Sequence, residues 1–282
     1  NGANGRALNM PQAVLSVENY INNKATKAVA ATQVVGPTTV YTRSYSPTSV
    51  GFSALLAQYA QDNPGTYSMA FTELSGVAHP RSATYRGDAR MPAGGIHSLY
   101  LGYTNVMEEY SGAARPVDKI SGDTNAIDCF KLMFQKFDQG CTKGFYDYFG
   151  FAKLTSRAAG LGLTNTVFAG EGTLTSASDL QKLMVGLYKN QIARIEGGSK
   201  ILSTMQAVRA NDGIPAGAGS GQISHVIGET DTVHNDSAIV YSNNYGAYSL
   251  TVLSDGASWD KVAGLAKKIQ TLKMVKIPAN AR

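Results

Sequence analysis

The residues with the clearest potential for chemistry are a serine, two histidines and an aspartate. Ser98 directly follows His97, Asp123 comes next, and His225 lies in a candidate strand near the C-terminus. A serine whose proton is taken by a histidine, itself oriented by a carboxylate, is the arrangement of serine hydrolases. Adjacent residues of a helix point about 100° apart, so His97 cannot face Ser98. An active hydrolase would therefore use Ser98, His225 and Asp123.

Motifs for metal, nucleotide or other hydrolase chemistry are missing from the sequence. The segment 229–236 (ETDTVHND) lacks the glycine of a calcium loop, and 216–221 (AGAGSG) lacks the Lys-Ser/Thr pair of a phosphate-binding loop. No G-x-S-x-G elbow occurs. We therefore predict no metal and no cofactor, and we interpret 216–221 as a flexible turn. The histidines lack the paired spacing of metal ligands; they are His79, His97, His225 and His234.

The only two cysteines leave two interpretations open. Cys129 and Cys141 fit neither a CxxC redox pair nor a four-ligand zinc site. A disulfide between them would suit an oxidising compartment, whereas two buried thiols would behave as small hydrophobic side chains.

Composition favours a folded protein with a large core and few charges. Of 282 residues, 43% are hydrophobic and only 16% are charged, against a usual charged share of about 25%. This excludes extensive disorder and allows two lobes. The net charge of +5 comes without a basic run, so we predict no nucleic-acid partner. No stretch of 18 apolar residues exists, so we predict no transmembrane segment.

Hydrophobic periodicity gives the elements that must position the candidate residues. We interpret 1–48 as an arm or linker with one helix over 11–22, and we predict a hairpin at 66–74 and 82–91. The predicted helices are 50–60, 95–110, 124–138, 144–159, 176–190, 197–209 and 259–273, and the predicted late strands are 222–229, 237–242 and 247–255.

This order of elements predicts an α/β (α+β) protein whose sheet is split in sequence. Two strands alone make a marginal sheet, so strands from both ends of the chain must meet. We expect one five-stranded antiparallel sheet, covered by the N- and C-terminal helices, and an inserted all-helical lobe. The predicted boundaries are 1–48 for the arm, 49–92 plus 207–282 for the sheet lobe, and 93–206 for the helical lobe.

Three segments resemble the class A β-lactamases and their penicillin-binding relatives. They are RMPAGGIHSLYLGY (90–103), GDTNAIDCF (122–130), and HVIGET (225–230) followed by SAIVYSNNYGAYSLTVLSDG (237–256). The resemblance extends over about residues 50–276 and implies a β-lactamase-like fold. That family performs acyl transfer with three motifs, S-x-x-K, S-D-N and K-T-G.

The resemblance also implies that the catalytic motifs are degenerate. In S-x-x-K, Gly95 stands at the nucleophile and Ser98 at the lysine. In S-D-N, only the aspartate is kept, in the triplet Gly122, Asp123 and Thr124.

The two remaining family features are also altered. In K-T-G, Val226 and Ile227 replace the lysine and threonine, and only Gly228 is kept. An aliphatic pair cannot bind a substrate carboxylate. The short loop in which the family carries a deacylating glutamate contains one acid, Glu171, which we interpret as a solvated loop residue.

We therefore expect a pseudoenzyme, a β-lactamase-like protein that has lost nucleophile, base and carboxylate anchor and that binds or scaffolds in the cell envelope. The alternative is an active hydrolase with relocated groups, Ser98 and His225. A third reading is a structural domain whose cleft is filled by Leu99, Val226 and Ile227. The resemblance implies a bacterial, extracytoplasmic protein with peptidoglycan or another envelope component as a candidate partner. No leader is visible, so we expect targeting or anchoring by a missing upstream segment.

Overall fold

The computed structural model of the chain describes residues 46–274 except 220 and 243, together with 5–8, 13–14, 17–18, 21–22 and 32–35. The chain divides into two units, Asn1–Ser44 and Tyr45–Arg282. In the first unit β1 (Gly5–Leu8) pairs antiparallel with β2 (Thr32–Val35), two strands that the sequence analysis did not predict. Residues 13–14, 17–18 and 21 are helical, and the rest of the helix predicted over 11–22 lies outside the described residues.

The described part of the second unit contains nine strands and eight α-helices. The strands are β3 (Thr66–Glu73), β4 (Ser82–Tyr85), β5 (Met91–Pro92), β6 (Lys119–Ser121), β7 (Thr124–Asn125), β8 (Leu174–Thr175), β9 (Gln222–Glu229), β10 (His234–Tyr241) and β11 (Tyr248–Asp255). The helices are α1 (Ser46–Asp62), α2 (Ser98–Ser111), α3 (Ala126–Lys136), α4 (Gln139–Gly160), α5 (Ala177–Tyr188), α6 (Ile195–Met205), α7 (Ile214–Ala218) and α8 (Trp259–Met274).

Five strands from the two ends of the unit form one antiparallel sheet in the order β4-β3-β11-β10-β9. One face of this sheet is apolar, and α1 and α8 pack against it. The stacked rings of Phe52 and Phe71, 4.2 Å apart, join α1 to β3. Burying one such side chain contributes about 1.5–3 kcal/mol. The predicted five-stranded sheet covered by the N- and C-terminal helices is therefore confirmed.

The opposite face of the sheet carries short polar side chains under α5. The amide of Gln181 donates to the carbonyl of Ser249, 3.2 Å away, and its oxygen accepts from the hydroxyls of Ser249 and Thr251. Thr251 in turn shares a 2.7 Å hydrogen bond with Ser237. All four side chains are buried, so their partners must come from one another. The fit between α5 and the sheet therefore depends on hydrogen bonds as well as apolar contact.

Two parts of the fold differ from the sequence-based expectation. The inserted lobe is not entirely helical, because β6 and β7 form a two-stranded ladder inside it. The segment 216–221 is not simply a flexible turn, because α7 reaches Ala218 and packs against α8. A side chain at Gly217 would collide with the carbonyl of Ala263, so glycine allows this close approach. No described helix is long and apolar enough to cross a membrane.

A disulfide joins Cys129 of α3 to Cys141 of α4 and so decides between the two interpretations of the cysteines. The intervening chain contains the end of α3, a left-handed residue at Phe137, and Asp138, which caps α4 by accepting from the Cys141 amide. The bond therefore fixes a tight helix–helix connection in the inserted lobe.

We predict that replacing both cysteines by serine lowers the free energy of unfolding by about 2–3 kcal/mol, because the bond closes a loop of separation 12 and restricts the unfolded chain. Urea unfolding monitored by circular dichroism measures this difference. Adding reductant should destabilise the wild type and leave the double variant unchanged. Equal stability of the oxidised and reduced wild type would contradict the prediction.

Candidate functional site

A backbone-to-backbone contact joins the inserted lobe to the edge of the sheet. The 3₁₀ turn Gly94–His97, which begins α2, lies against β9 at Gly228. A β-carbon at Gly228 would lie 2.6 Å from the Ile96 nitrogen and would also collide with the Ala93 carbonyl. A β-carbon at Gly95 would lie 3.3 Å from the Ile227 carbonyl oxygen. Glycine at both positions therefore lets the two backbones approach closely.

Hydrogen bonds from two directions hold this turn. The amide of Asn235, on β10, donates to the carbonyls of Pro92 at 2.9 Å and Ala93 at 3.0 Å. Its oxygen accepts from the Ser254 backbone nitrogen at 2.9 Å. On the other side, β5 pairs with β8, and the Ala93 nitrogen donates to the Thr173 carbonyl. The turn is thus fixed to the sheet and to the loop before α5.

The structure brings two of the three motif segments together at this point. Gly95 lies against Ile227 and Gly228, as the resemblance requires of the S-x-x-K and K-T-G segments. Leu99, Val226 and Ile227 are all buried. Strand alternation sends Val226 to the face under α5 and Ile227 to the opposite face. Val226 and Ile227, which the resemblance aligns with the family's carboxylate anchor, are therefore aliphatic and buried.

The third segment forms a hairpin turn of the inserted lobe. Gly122 and Asp123 form the turn of the β6–β7 hairpin, which packs against α3 and α4, and Thr124 begins β7. The Asp123 side chain is fully exposed and lies 3.7 Å from the Lys119 ammonium. Gly122 has φ of 54°, which favours glycine, and a β-carbon there would meet no atom within 4 Å. The triplet that the resemblance aligns with S-D-N therefore forms an exposed hairpin turn.

The structure does not bring Ser98, His225 and Asp123 together. His225 shares a sheet face with Ala238, its cross-strand partner, in the core under α1 and α8. Ser98 is the first residue of α2, and α2 lies on the other side of the sheet, toward which Val226 points. The sheet itself therefore separates the His225 ring from Ser98. The carboxylate that contacts His225 belongs to Asp236, whose Oδ1 lies 3.2 Å from Nδ1.

The buried pair of His225 and Asp236 has a structural role. Oδ2 of Asp236 accepts from the Ile214 nitrogen at 2.8 Å, where α7 begins. Gly213 leaves room for this contact, since a side chain there would collide with the carboxylate. The pair therefore holds α7 against the sheet. Sequence reasoning missed Asp236 and Asn235, because only the pairing register of β9, β10 and β11 shows what they face.

His97 is the most unusual polar residue of the turn. Its side chain is buried, and neither ring nitrogen has a hydrogen-bond partner among the described residues. Its ring meets the edge of the Tyr146 ring at 5.3 Å, and the Tyr146 hydroxyl shares a 2.8 Å hydrogen bond with Thr173. Burial lowers the pKa of His97 to about 4 and raises that of Tyr146 to about 12. Both side chains are therefore neutral at pH 7.

Glu171 lies at the tip of a short hairpin next to the turn. Val167 and Leu174 form the bridge that closes this hairpin, and Leu174 also pairs with Pro92 of β5. The Glu171 side chain is exposed, in accord with its interpretation as a solvated loop residue. Val167 and Leu174 are exposed as well, so the rim of the hairpin is apolar.

The remaining histidine on the sheet does not belong to a metal centre. His234 lies 3.8 Å from a Glu229 oxygen, and the Trp259 indole donates to the same oxygen at 3.0 Å. Across the part of the chain that the structure describes, no three His, Cys, Asp or Glu side chains converge as metal ligands.

The sheet, its covering helices and the inserted lobe together form a β-lactamase-like serine hydrolase fold. Residues 102–272 match the profile of the β-lactamase enzyme family, a match that begins after Gly95 and Ser98. Because the match covers more than half of the chain, the chain belongs to the β-lactamase enzyme family.

Several solved structures share this fold. A structure of PBP-A is 21% identical, with a TM-score of 0.70, covering 78% of this chain and 95% of its own. A β-lactamase from Sphaerobacter thermophilus is 15% identical, with a TM-score of 0.69 and coverage of 80% and 99%. A PBP-A mutant in acyl-enzyme complex with penicillin G is 20% identical, with a TM-score of 0.69 and coverage of 77% and 95%. No curated protein sequence matches significantly.

We predict that replacing His97 by Phe makes the protein less sensitive to acid. The folded-state pKa of His97 is about 4, below the unfolded value of about 6.5, so the unfolded state binds a proton first as the pH falls. The wild type should lose about 3 kcal/mol more than the variant between pH 7 and pH 4.

Urea unfolding at several pH values measures this difference. Replacing His79, which is exposed, by Gln is the matched control and should leave the pH profile unchanged. Parallel profiles for the wild type and the His97 variant would show that His97 does not titrate differently in the two states.

Proposed function

We propose that this chain is a non-catalytic member of the β-lactamase enzyme family that binds or scaffolds an envelope component, with peptidoglycan as the first candidate. The observation that carries the proposal is the glycine at position 95, where the resemblance puts the nucleophile. A glycine has no side chain with which to form an acyl-enzyme, so the covalent step of the family chemistry has no acceptor atom.

The geometry around Gly95 supports this reading beyond the missing hydroxyl. A β-carbon at this position would approach the Ile227 carbonyl oxygen to 3.3 Å, tighter than most such contacts. Ser98, at the position of the family's lysine, carries no charge, and Val226 cannot attract a carboxylate. The nucleophile, the base and the anion anchor are thus replaced together.

The disulfide supports an extracytoplasmic setting. Disulfides persist in oxidising compartments and are rare in reducing ones. Members of this family act on cell-wall peptides or on the drugs that resemble them, so an envelope location follows naturally from the resemblance. The exposed apolar rim formed by Val167 and Leu174 lies beside the turn and offers a surface for a partner there.

We predict that the protein forms no covalent adduct with penicillin. Intact-mass spectrometry after incubation with penicillin G measures this, with the PBP-A mutant that was captured as an acyl-enzyme as the positive control. The wild type and a Ser98→Ala variant should both keep the mass of the free chain. An added mass equal to that of penicillin on the wild type would overturn the proposal.

Binding to the wall is tested by sedimentation with purified peptidoglycan. We expect the wild type to co-sediment and a Val167→Ser, Leu174→Ser double variant to bind at least fivefold more weakly, because the rim loses its apolar contacts. The matched control replaces Val117 and Ile195, which are even more exposed but lie elsewhere in the inserted lobe, by serine and should bind normally. No co-sedimentation of the wild type would reject peptidoglycan as the partner and favour the purely structural reading.

A further inference from the structure

The inserted lobe contains a cavity that none of the family motifs reaches. It has a volume of about 380 Å³ and lies between α2 and the second half of α4. Its apolar lining comes from Tyr103 and Leu161, and its polar lining includes Glu108, Lys153 and Arg157. A volume of this size is in the range of sites for small molecules.

The charges around this cavity do not cancel. Glu108 is buried and accepts from the Lys153 ammonium at 2.9 Å and from the Arg157 guanidinium at 2.6 Å. Although burial opposes ionisation, the hydrogen bonds and charges of these two cations keep the pKa of Glu108 below its usual value. One carboxylate therefore faces two cations, and one positive charge remains in excess.

The cations keep donors directed at solvent and the cavity. The Lys153 side chain is 44% exposed and that of Arg157 is 32% exposed, whereas that of Glu108 is only 6% exposed. Arg157 has five N–H donors and Lys153 has three, and Glu108 accepts only three of these in total. Both residues therefore retain N–H groups for a second anion.

The two cations destabilise the helix that carries them. Lys153 and Arg157 are four residues apart on α4, where like charges face each other and destabilise a helix. Ser156 and Gly160 continue the same helical face along the cavity wall. Gly160 lines the cavity, and a β-carbon there would meet no atom within 4 Å, so this position has room for a side chain. One cation is enough to neutralise the charge of Glu108, so the positive charge of the second is available to another anion.

We propose that this cavity binds a small organic anion, with its carboxylate on Lys153 and Arg157 and its apolar body against Tyr103 and Leu161. The site lies outside the cleft, so it is independent of the proposed loss of catalysis. Lys153 and Arg157 both lie on α4, so a bound anion would share these two cations with Glu108 of α2.

The experiment is a titration of the full chain with benzoate, followed by the side-chain N–H resonance of Arg157 in nuclear magnetic resonance spectra. Benzylamine and benzyl alcohol have the same ring with a positive and a neutral group. Two variants weaken the site in different ways. Lys153→Gln removes one cation, and Gly160→Phe adds a large side chain to the cavity lining. Lys143→Gln is the matched control, because Lys143 forms an exposed pair with Asp147 earlier on α4.

We expect saturable binding of benzoate and none of benzylamine or benzyl alcohol. Lys153→Gln and Gly160→Phe should each raise the dissociation constant at least fivefold, and Lys143→Gln should leave it unchanged. Circular dichroism establishes that each variant is folded before the titration. The proposal is overturned if benzoate does not saturate, if benzylamine binds equally well, or if binding is the same in both cavity variants as in the wild type.

Discussion

The close approach of the turn Gly94–His97 to the edge of β9 is the constraint on which the site depends. Glycine is required at 228, where a β-carbon would collide with the Ala93 carbonyl, whereas at Gly95 the fit is only tight, with a β-carbon 3.3 Å from the Ile227 carbonyl oxygen. The contact has two consequences. It locks the start of α2 against the sheet, and it narrows the space beside position 95.

The sheet has two faces that perform different tasks. The face under α1 and α8 is apolar and supplies stability by burial. The face under α5 uses Gln181, Ser237 and Thr251 in a closed set of hydrogen bonds, which fixes α5 in one position. Asn235 lies on this second face as well and holds the turn by hydrogen bonds of its own. The turn is thus positioned by directional polar contacts together with the apolar packing of Ala93 and Ile96.

Much of the fold could be predicted from the sequence, because its signals are local. The apolar stripes predicted α2, α3, α5, α6 and α8 to within a few residues, and alternation predicted β3, β9 and β11. The short ladders β5–β8 and β6–β7 were missed, because strands of two or three residues are too short to show an alternation of polar and apolar side chains. The α4 helix was predicted to begin at 144 but begins at Gln139, and Gly150 interrupts it with φ of 73°.

The errors at the site have a different cause. Strand alternation places His225 and Val226 on opposite faces, and this much is readable from the sequence. Which of the two faces meets α2 depends on the pairing of distant strands and on the helices that cover them. The triplet that begins at Gly122 was aligned with the S-D-N motif by residue type alone. A glycine at positive φ beside an aspartate is also typical of a hairpin turn. Asp236 could be recognised as the partner of His225 only from the register.

Charge is used in this protein to connect elements. Glu73 of β3 contacts Arg81 at 2.5 Å and Lys273 of α8 at 3.7 Å, and both of its partners come from outside its own strand. Although burial opposes ionisation, hydrogen bonds and the charge of Arg81, with that of Lys273, lower the pKa of Glu73. A carboxylate held in this way is satisfied by its neighbours and stabilises the fold.

A catalytic site needs the opposite condition, since its charged groups must remain available to a substrate and be supported without being neutralised. At the turn, Ser98 and Val226 carry no charge, so these two side chains provide no such group. The cluster around Glu108 comes closer to the required condition, because its two cations are only partly compensated by one carboxylate. These two partly compensated cations therefore lie where they can attract a ligand.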